Sequence, residues 1–137
     1  MKRVLFLCSG NSCRSQMAEA IVNHFLAADW SAFSAGTNPT GFVHPMVLNV
    51  LHEIGIDHDG RSKSVDEFRH QIFDWVITVC DAAAGNCPVW LGEGQKQHIP
   101  FEDPAATQGD DDEIQSVFRT VRDRIKDQIL PLLIAQQ

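Results

Sequence analysis

The chain has 137 residues, 44% of them hydrophobic and 21% charged, a composition typical of one globular domain over residues 1–137. Its formal net charge of −7 argues against general binding to nucleic acid or anionic membranes. The apolar run after Lys2 and Arg3 is too short for a signal peptide or a membrane span, so we expect a cytoplasmic protein. We also expect a monomer. In that reducing compartment, four cysteines are expected to be free, catalytic or metal-bound.

The first half of the chain predicts strand, helix, strand, helix. Residues 2–8 are an apolar run that ends at a turn-forming segment, as in a buried strand of a parallel sheet. From Met17 onward, apolar residues recur every four positions and predict a helix. Residues 30–34 predict a second strand, and the apolar stripe that begins at Pro45 predicts a helix that ends at Gly55.

The second half predicts two strands and a long helix. Residues 73–80 are rich in Val, Ile and Trp and predict a buried strand, and residues 98–99 predict a short fourth one. From Ile114 an amphipathic stripe, preceded by acidic residues, predicts a helix that Pro131 kinks or ends. This alternation predicts an α/β fold with a four-stranded parallel sheet, helices on both faces, and ligands beyond the carboxyl ends of the strands.

An anion site is predicted where the first strand leads into the first helix. A short loop at such a place points backbone N–H groups at a tetrahedral oxyanion. The predicted donors are the N–H groups of Ser9, Gly10, Asn11, Ser12, Cys13 and Arg14. The Arg14 guanidinium adds a two-pronged contact, and we expect Gly10 and Asn11 to accept left-handed backbone conformations.

Cys8 stands at the start of this loop, in line to attack the central atom of a bound anion. The loop N–H groups and the Ser15 hydroxyl would stabilise its thiolate. The alternative is that Cys8 is a buried strand-end cysteine and Arg14 a solvated helix residue, because the spacing alone is permissive. The strand before the loop, the helix after it and the small polar residues within it favour the anion site.

These residues carry a family resemblance. The segment Cys-Ser-Gly-Asn-Ser-Cys-Arg-Ser-Gln-Met-Ala-Glu at residues 8–19 resembles the phosphate loop of the low-molecular-weight tyrosine phosphatase superfamily, and within it is most similar to the thioredoxin-coupled arsenate reductases. The similarity continues through Ser34-Ala35-Gly36, Val79-Cys80-Asp81, Asn86-Cys87-Pro88 and Asp103-Pro104. It implies that fold, the reduction of arsenate to arsenite in arsenic detoxification, and thioredoxin as the final reductant.

Further thiols separate a reductase from a phosphatase of this fold, because a reductase must supply two electrons and thiols supply them by forming a disulfide. Cys80 ends the predicted third strand, and Cys87 follows a segment rich in alanine that is able to rearrange. The alternatives are two incidental core cysteines or a zinc site, although the spacing fits no usual zinc pattern. The resemblance implies a relay in which Cys8 attacks arsenic, Cys80 attacks Cys8, and Cys87 attacks Cys80. Cys13 is expected to pack passively.

Asp103 is implied by the resemblance to be the general acid that protonates the departing oxygen. The alternative is a turn residue before Pro104. Two departures separate the chain from the phosphatases, which have a proline where Gln16 stands and an aromatic residue where Ala105 stands. Tyrosine is absent, although a phosphatase would need aromatic walls beside the loop.

A cation site is also implied, because some of these reductases hold a potassium ion beside the loop. Asn11, Glu19 and Ser34 match three of its ligands, and Lys63 aligns with the fourth, normally an aspartate. The Lys63 ammonium would take the place of the ion. We therefore expect no metal, no cofactor and little dependence on potassium.

Two other functions remain open. One is a low-molecular-weight protein tyrosine phosphatase, and the other is a non-catalytic phosphocarrier or anion-sensing module. The module has no obvious use for Asp103 or for the two downstream thiols. The six histidines are scattered, and no role is assigned to them.

Overall fold

Four parallel strands form the sheet. The computed structural model describes residues 1–80, 90 and 92–136. The strands are β1 (Lys2–Cys8), β2 (Trp30–Gly36), β3 (Trp75–Thr78) and β4 (Gln95–His98). Their order is β2-β1-β3-β4, and every neighbouring pair is parallel. The carboxyl ends of β1 and β3 therefore lie side by side.

Three α-helices accompany the strands in the described part of the chain: α1 (Arg14–Phe25), α2 (Pro45–His52) and α3 (Asp111–Ile134). Two 3₁₀ helices cover Val65–Phe68 and Pro104–Ala106. α2 ends at His52, a little before the predicted Gly55. Gly55 has a φ of +84°, and the Ile56 N–H donates to the Leu51 carbonyl at 3.0 Å, which closes the turn that follows the helix. None of the helices in the described ranges is long and apolar enough to span a bilayer.

Successive side chains of β1 point to opposite faces of the sheet and belong to two separate apolar clusters. Val4 and Phe6 face a cluster that includes buried residues of α1, α2 and α3. Leu5 and Leu7 face a second cluster that includes the 3₁₀ helix Val65–Phe68. Helices therefore line both faces of a four-stranded parallel sheet, which confirms the predicted fold class, although the second face carries only a single helical turn among the described residues.

Several boundaries differ from the prediction for physical reasons. β3 covers only Trp75–Thr78 rather than residues 73–80, although the Val79 N–H still donates to the Leu7 carbonyl at 2.9 Å. β4 begins at Gln95, and all four of its residues are exposed, so this edge strand has no apolar signal. Pro131 does not end α3, which continues to Ile134 with buried Ile129 and Leu133 on either side of the proline. A proline removes one helical hydrogen bond and its ring crowds the preceding turn, but the buried residues on either side of Pro131 hold the last turn.

An ionic cluster joins α2 to α3. The buried Arg122 donates to the Val50 carbonyl at 2.7 Å and to Glu53 at 2.9 Å. Arg119 binds the same Glu53 carboxylate at 2.6 Å. Hydrogen bonding by Arg119, assisted by Arg122, outweighs burial and lowers the pKa of Glu53 to about 2. The two helices are thereby joined by a carboxylate that stays ionised at neutral pH.

Replacing Arg122 by Ala should lower the free energy of unfolding by about 1–3 kcal/mol, because the buried Val50 carbonyl loses its side-chain donor. The matched control is Arg124→Ala, which removes an exposed pair with Glu102 at 3.3 Å. That change should cost no more than about 0.5 kcal/mol. Urea unfolding followed by circular dichroism measures both, and equal losses would contradict the role given to Arg122.

Candidate active site

The loop between β1 and α1 is anchored from outside through its carbonyl groups. The Ser9 carbonyl accepts from the Asn38 N–H at 2.9 Å, and the Ser12 carbonyl accepts from the His44 N–H at 3.1 Å. The Gly10 carbonyl accepts from the backbone of Thr40 at 3.0 Å and from the side chain of Ser62 at 3.1 Å. Among the described residues, the N–H groups of residues 10–13 donate to no other protein group. They are the groups that a nest for an oxyanion requires.

Asn11 holds the turn of this loop from beneath. It is fully buried and has a φ of +48°, the left-handed conformation predicted for it, whereas Gly10 is not among the residues with positive φ. Its side-chain oxygen accepts from the Lys63 N–H at 2.8 Å, and its side-chain nitrogen donates to the Ser15 hydroxyl at 2.9 Å. No hydrogen bond joins Ser15 to Cys8 in the described structure, so a contact between them stays a prediction.

Gly36, at the end of β2, lets the loop approach the sheet closely. A Cβ atom built at this position would lie 2.4 Å from the Ser9 carbonyl oxygen and 2.8 Å from that of Cys8. Real Cβ atoms do not come so close, and both atoms belong to the backbone. A larger residue at position 36 would therefore displace the loop itself.

A cavity of about 260 Å³ opens above the loop. Its walls are Cys8, Ser9, Gly10, Ser12, Cys13, Arg14, Thr40, Phe42, His44, Asp103 and Ala105. Five of the six predicted oxyanion-binding residues thus face the cavity, and Asn11 lies beneath it. Sequence reasoning missed Phe42, which is 55% exposed, and His44. Their place in the loop after β2, at the carboxyl edge of the sheet, was the available signal.

Arg14 is buried and fixed at the edge of this cavity. It donates through Nη1 to the Phe101 carbonyl at 3.1 Å, and its Nη2 lies 3.9 Å from Oδ2 of Asp103. Its Nε is buried and has no hydrogen-bond partner among the described residues. A solvated helix-start arginine would not be buried, so the geometry favours a guanidinium held for an anion.

Asp103 caps a short turn, the alternative considered for it, and its role as general acid stays a prediction. Its Oδ1 accepts from the Ala105 N–H at 3.0 Å and caps the 3₁₀ helix Pro104–Ala106. Its Oδ2 is the atom nearest Arg14, and the side chain is 43% exposed at the cavity wall. The cap fixes the carboxyl group while one oxygen remains directed toward Arg14.

The cysteines of the described chain are in two redox states. Cys8 and Cys13 are buried free thiols, whereas the buried Cys80 is disulfide-bonded. The register pairs Leu7 with Thr78, so Cys80 lies one residue beyond the position level with Cys8 on the neighbouring strand. Both cysteines belong to the same buried cluster. The position of Cys87 lies outside the described residues.

Cys13 is a poor candidate for a nucleophile although it lines the cavity. Burial, followed by the nearby negative charges of Asp103 and Cys8, raises its pKa to about 12. At neutral pH it remains a protonated thiol, which attacks disulfides and oxyanions slowly. The passive role expected for Cys13 stays a prediction, although the residue lines the cavity rather than being turned away from it.

Lys63 reaches the predicted cation site. Its ammonium lies 3.6 Å from Glu19 and 3.4 Å from the Ser34 hydroxyl, and it donates to the Arg61 carbonyl at 2.7 Å. Burial lowers the pKa of Lys63, while the Glu19 carboxylate opposes that shift. Asn11 meets the backbone N–H of Lys63 rather than its ammonium. Within the described ranges, no three His, Cys, Asp or Glu side chains are grouped so as to hold a metal ion.

Comparison with known proteins identifies the family. Residues 3–137 match the family model described as low molecular weight phosphotyrosine protein phosphatase. An arsenate reductase of Halalkalibacterium halodurans is 42% identical over 125 residues, which cover 90% of this chain and 89% of that protein.

Two solved structures are similar along nearly the whole chain. An arsenate reductase in the phosphate binding state aligns with a TM-score of 0.80 at 31% identity and covers 98% of both chains. A thioredoxin-dependent arsenate reductase of Corynebacterium glutamicum aligns with a TM-score of 0.66 at 28% identity, covering 98% of this chain and 63% of that one. Because the family match spans almost all of its residues, the chain belongs to the low molecular weight phosphotyrosine protein phosphatase family.

Proposed function

We propose that this protein reduces arsenate to arsenite by a relay of Cys8, Cys80 and Cys87 and passes the resulting disulfide to thioredoxin. The observation that carries the proposal is a free cysteine in the anion loop beside a disulfide-bonded cysteine at the end of the neighbouring strand. Cys8 and Cys13 are both free, so neither is the partner of Cys80. A pure phosphatase requires only one of these thiols.

The first step binds arsenate in the loop and forms a bond between Cys8 and arsenic. The N–H groups of residues 10–13 and the Arg14 guanidinium neutralise the anion. The Cys8 thiolate attacks arsenic, and one arsenic–oxygen bond breaks. Asp103 donates the proton with which that oxygen leaves as water, since its Oδ2 is directed to the cavity and is not used in capping.

The next two steps move electrons between sulfur atoms. Cys80 attacks the sulfur of Cys8, the sulfur–arsenic bond breaks, and its electron pair stays on arsenic, which leaves as arsenite. Cys87 then attacks Cys80, so that Cys8 is released as a thiol and the disulfide moves outward. A free Cys8 beside a disulfide-bonded Cys80 is compatible with the relay but does not order its steps, which are taken from the family resemblance.

Thioredoxin is the proposed final reductant; a thiol donor is needed to return the chain to its reduced form, and a related thiol system is the alternative. The similar protein of Corynebacterium glutamicum is named thioredoxin-dependent. A reductant of this kind works in a reducing compartment, so we also propose a cytoplasmic location. We also propose that the protein is a monomer and that residues 1–137 form one domain, a length typical of a single domain.

Hydrolysis of aryl phosphates is the second candidate function, favoured by one observation. Phe42 lines the cavity with an exposed ring, which offers the aromatic wall that an aryl phosphate ester would contact. Cys8, Arg14 and Asp103 would serve both reactions. A non-catalytic anion-sensing module is a weaker candidate, because such a module would have no role for Asp103 or for Cys80 and Cys87.

Replacing Cys80 by Ser distinguishes the two reactions. Multiple-turnover arsenate reduction with thioredoxin should fall by a factor on the order of 10³, because no thiol remains to release arsenite. Hydrolysis of p-nitrophenyl phosphate should stay within about threefold of the wild type, since it needs only the loop nucleophile. Cys8→Ser, the control, should lose both activities. Continued arsenate reduction by Cys80→Ser would exclude the relay.

We further propose that Lys63 takes the place of a bound cation beside the loop. Its ammonium neutralises Glu19 and contacts Ser34, two of the groups that would otherwise bind the ion. The side chain is only 11% exposed, so this charge pair is shielded from solvent.

Arsenate reduction should therefore change by less than about twofold when potassium replaces sodium at constant ionic strength. In Lys63→Ala the carboxylate of Glu19 loses this cation, and activity should become dependent on potassium. Lys126→Ala, a change near Phe25 on the surface, is the control and should respond like the wild type. A marked rise of wild-type activity on adding potassium would refute the substitution of the ion by Lys63.

A further inference from the structure

We propose that His58 is a positioning residue of the anion loop, whose ring N–H holds the Gln16 amide in the orientation that supports Asn11. Sequence reasoning gave no role to this histidine. The inference requires only that the loop binds an oxyanion, so it applies equally to a reductase and to a phosphatase.

The orientation of the Gln16 amide follows from its neighbours. Its side-chain nitrogen lies 2.9 Å from the Arg61 carbonyl, 3.0 Å from the side-chain oxygen of Asn11 and 3.2 Å from the Asn11 carbonyl. The Lys63 backbone N–H can only donate, so the side-chain atom of Asn11 that it contacts must be the oxygen. The three neighbours are acceptors, so the NH₂ group of Gln16 must face them.

The remaining atom of the amide faces His58. The Gln16 oxygen lies 2.7 Å from Nε2 of His58 and can only accept a hydrogen bond. Nε2 must therefore carry the hydrogen. Gln16 is fully buried and the His58 side chain is 8% exposed, so water is poorly placed to replace this donor.

The backbone near His58 is built to permit this contact. A Cβ atom added to Gly60 would lie 2.1 Å from Nε2 of His58 and 2.5 Å from the Gln16 oxygen. Any other residue at position 60 would displace one of the two partners. Gly60 thus leaves room for the hydrogen bond from the ring to the amide.

The charges that face the ring allow it to donate while neutral. Nε2 lies 3.8 Å from Oε2 of Glu19, and Oε1 of the same carboxylate lies near the Lys63 ammonium. Asp59, the next residue along the chain, is a second nearby negative charge. Burial lowers the pKa of His58, and the attraction of Glu19 opposes that shift. The neutral tautomer with its hydrogen on Nε2 suffices for the contact, so the support of Gln16 does not require a charged ring.

The consequence for the loop comes through Asn11. This residue is in a left-handed conformation that is uncommon for residues other than glycine, and Gln16 contacts both its carbonyl and its side chain. If the Gln16 oxygen loses its buried donor, it is left as an unsatisfied acceptor. Rotation of the amide toward another partner would then release Asn11. The loop N–H groups would then be less well aligned, and oxyanion binding would weaken.

The test measures phosphate binding to the fully reduced protein by protection of Cys8 from alkylation. His58→Phe keeps a ring without the donor and should raise the Kd for inorganic phosphate about tenfold. His58→Gln returns an N–H near the same place and should stay within about threefold of the wild type. Should His58→Phe fail to fold, His58→Met takes its place. Equal Kd values for the apolar variant and the wild type would overturn the proposal.

A double-mutant cycle separates positioning from a general loss of stability. In a Gln16→Met background, removing the His58 donor should change the phosphate Kd no further, because its action passes through Gln16. Additive effects would contradict the inference. Arg122→Ala, which weakens the fold away from the loop, should leave the phosphate Kd unchanged and so controls for stability.

Steady-state kinetics give a second readout that a purely structural role would not move. In arsenate reduction, His58→Phe should raise KM with little change in kcat, since the relay thiols are untouched. A fall in kcat at unchanged KM would count against positioning of the loop. Phosphate binding is measured without any redox step, so a chain that binds phosphate as expected but does not reduce arsenate would refute the proposed function alone.

Discussion

The site depends on the outward anchoring of the loop carbonyls between β1 and α1. Because Ser9, Gly10 and Ser12 present their carbonyl oxygens to neighbouring segments, the N–H groups of the loop are left for the cavity. This arrangement answers the difficulty raised by a net charge of −7, which would repel an oxyanion from the protein as a whole. In the proposed function, local backbone dipoles and one buried arginine supply the attraction for the oxyanion that the overall charge lacks.

The order of strands in the sheet places a second cysteine next to the proposed anion site. In a parallel sheet, all strands end at the same edge, and the order β2-β1-β3-β4 makes β3 the neighbour of the strand that carries Cys8. A cysteine that follows β3 therefore lies near Cys8, the proposed nucleophile, without any special loop. The same fold can serve a phosphatase or a reductase, and the proposed difference lies in the thiols at this edge rather than in the anion loop.

Much of this structure could be predicted because its signals are local. The apolar run of β1, the small polar loop and the helical stripe of α1 follow one another in sequence. β4 was only partly foreseen, since an exposed edge strand of polar residues has no apolar pattern. His58 was missed for another reason: its contact with Gln16 joins residues distant in sequence, and a single side chain has no periodicity to reveal it. Phe42 was missed although its loop follows β2 at the carboxyl edge of the sheet.

The central claim is that the two electrons that reduce arsenic come from the relay of Cys8, Cys80 and Cys87. The most direct test is to map which cysteines are joined in a disulfide after one turnover. Fully reduced protein is given one equivalent of arsenate without thioredoxin, quenched in acid, alkylated and analysed by peptide mass spectrometry. The account predicts one arsenite released per chain, a disulfide between Cys80 and Cys87, and alkylated Cys8 and Cys13. Arsenite release with all four cysteines alkylated, or a disulfide that contains Cys13, would contradict it.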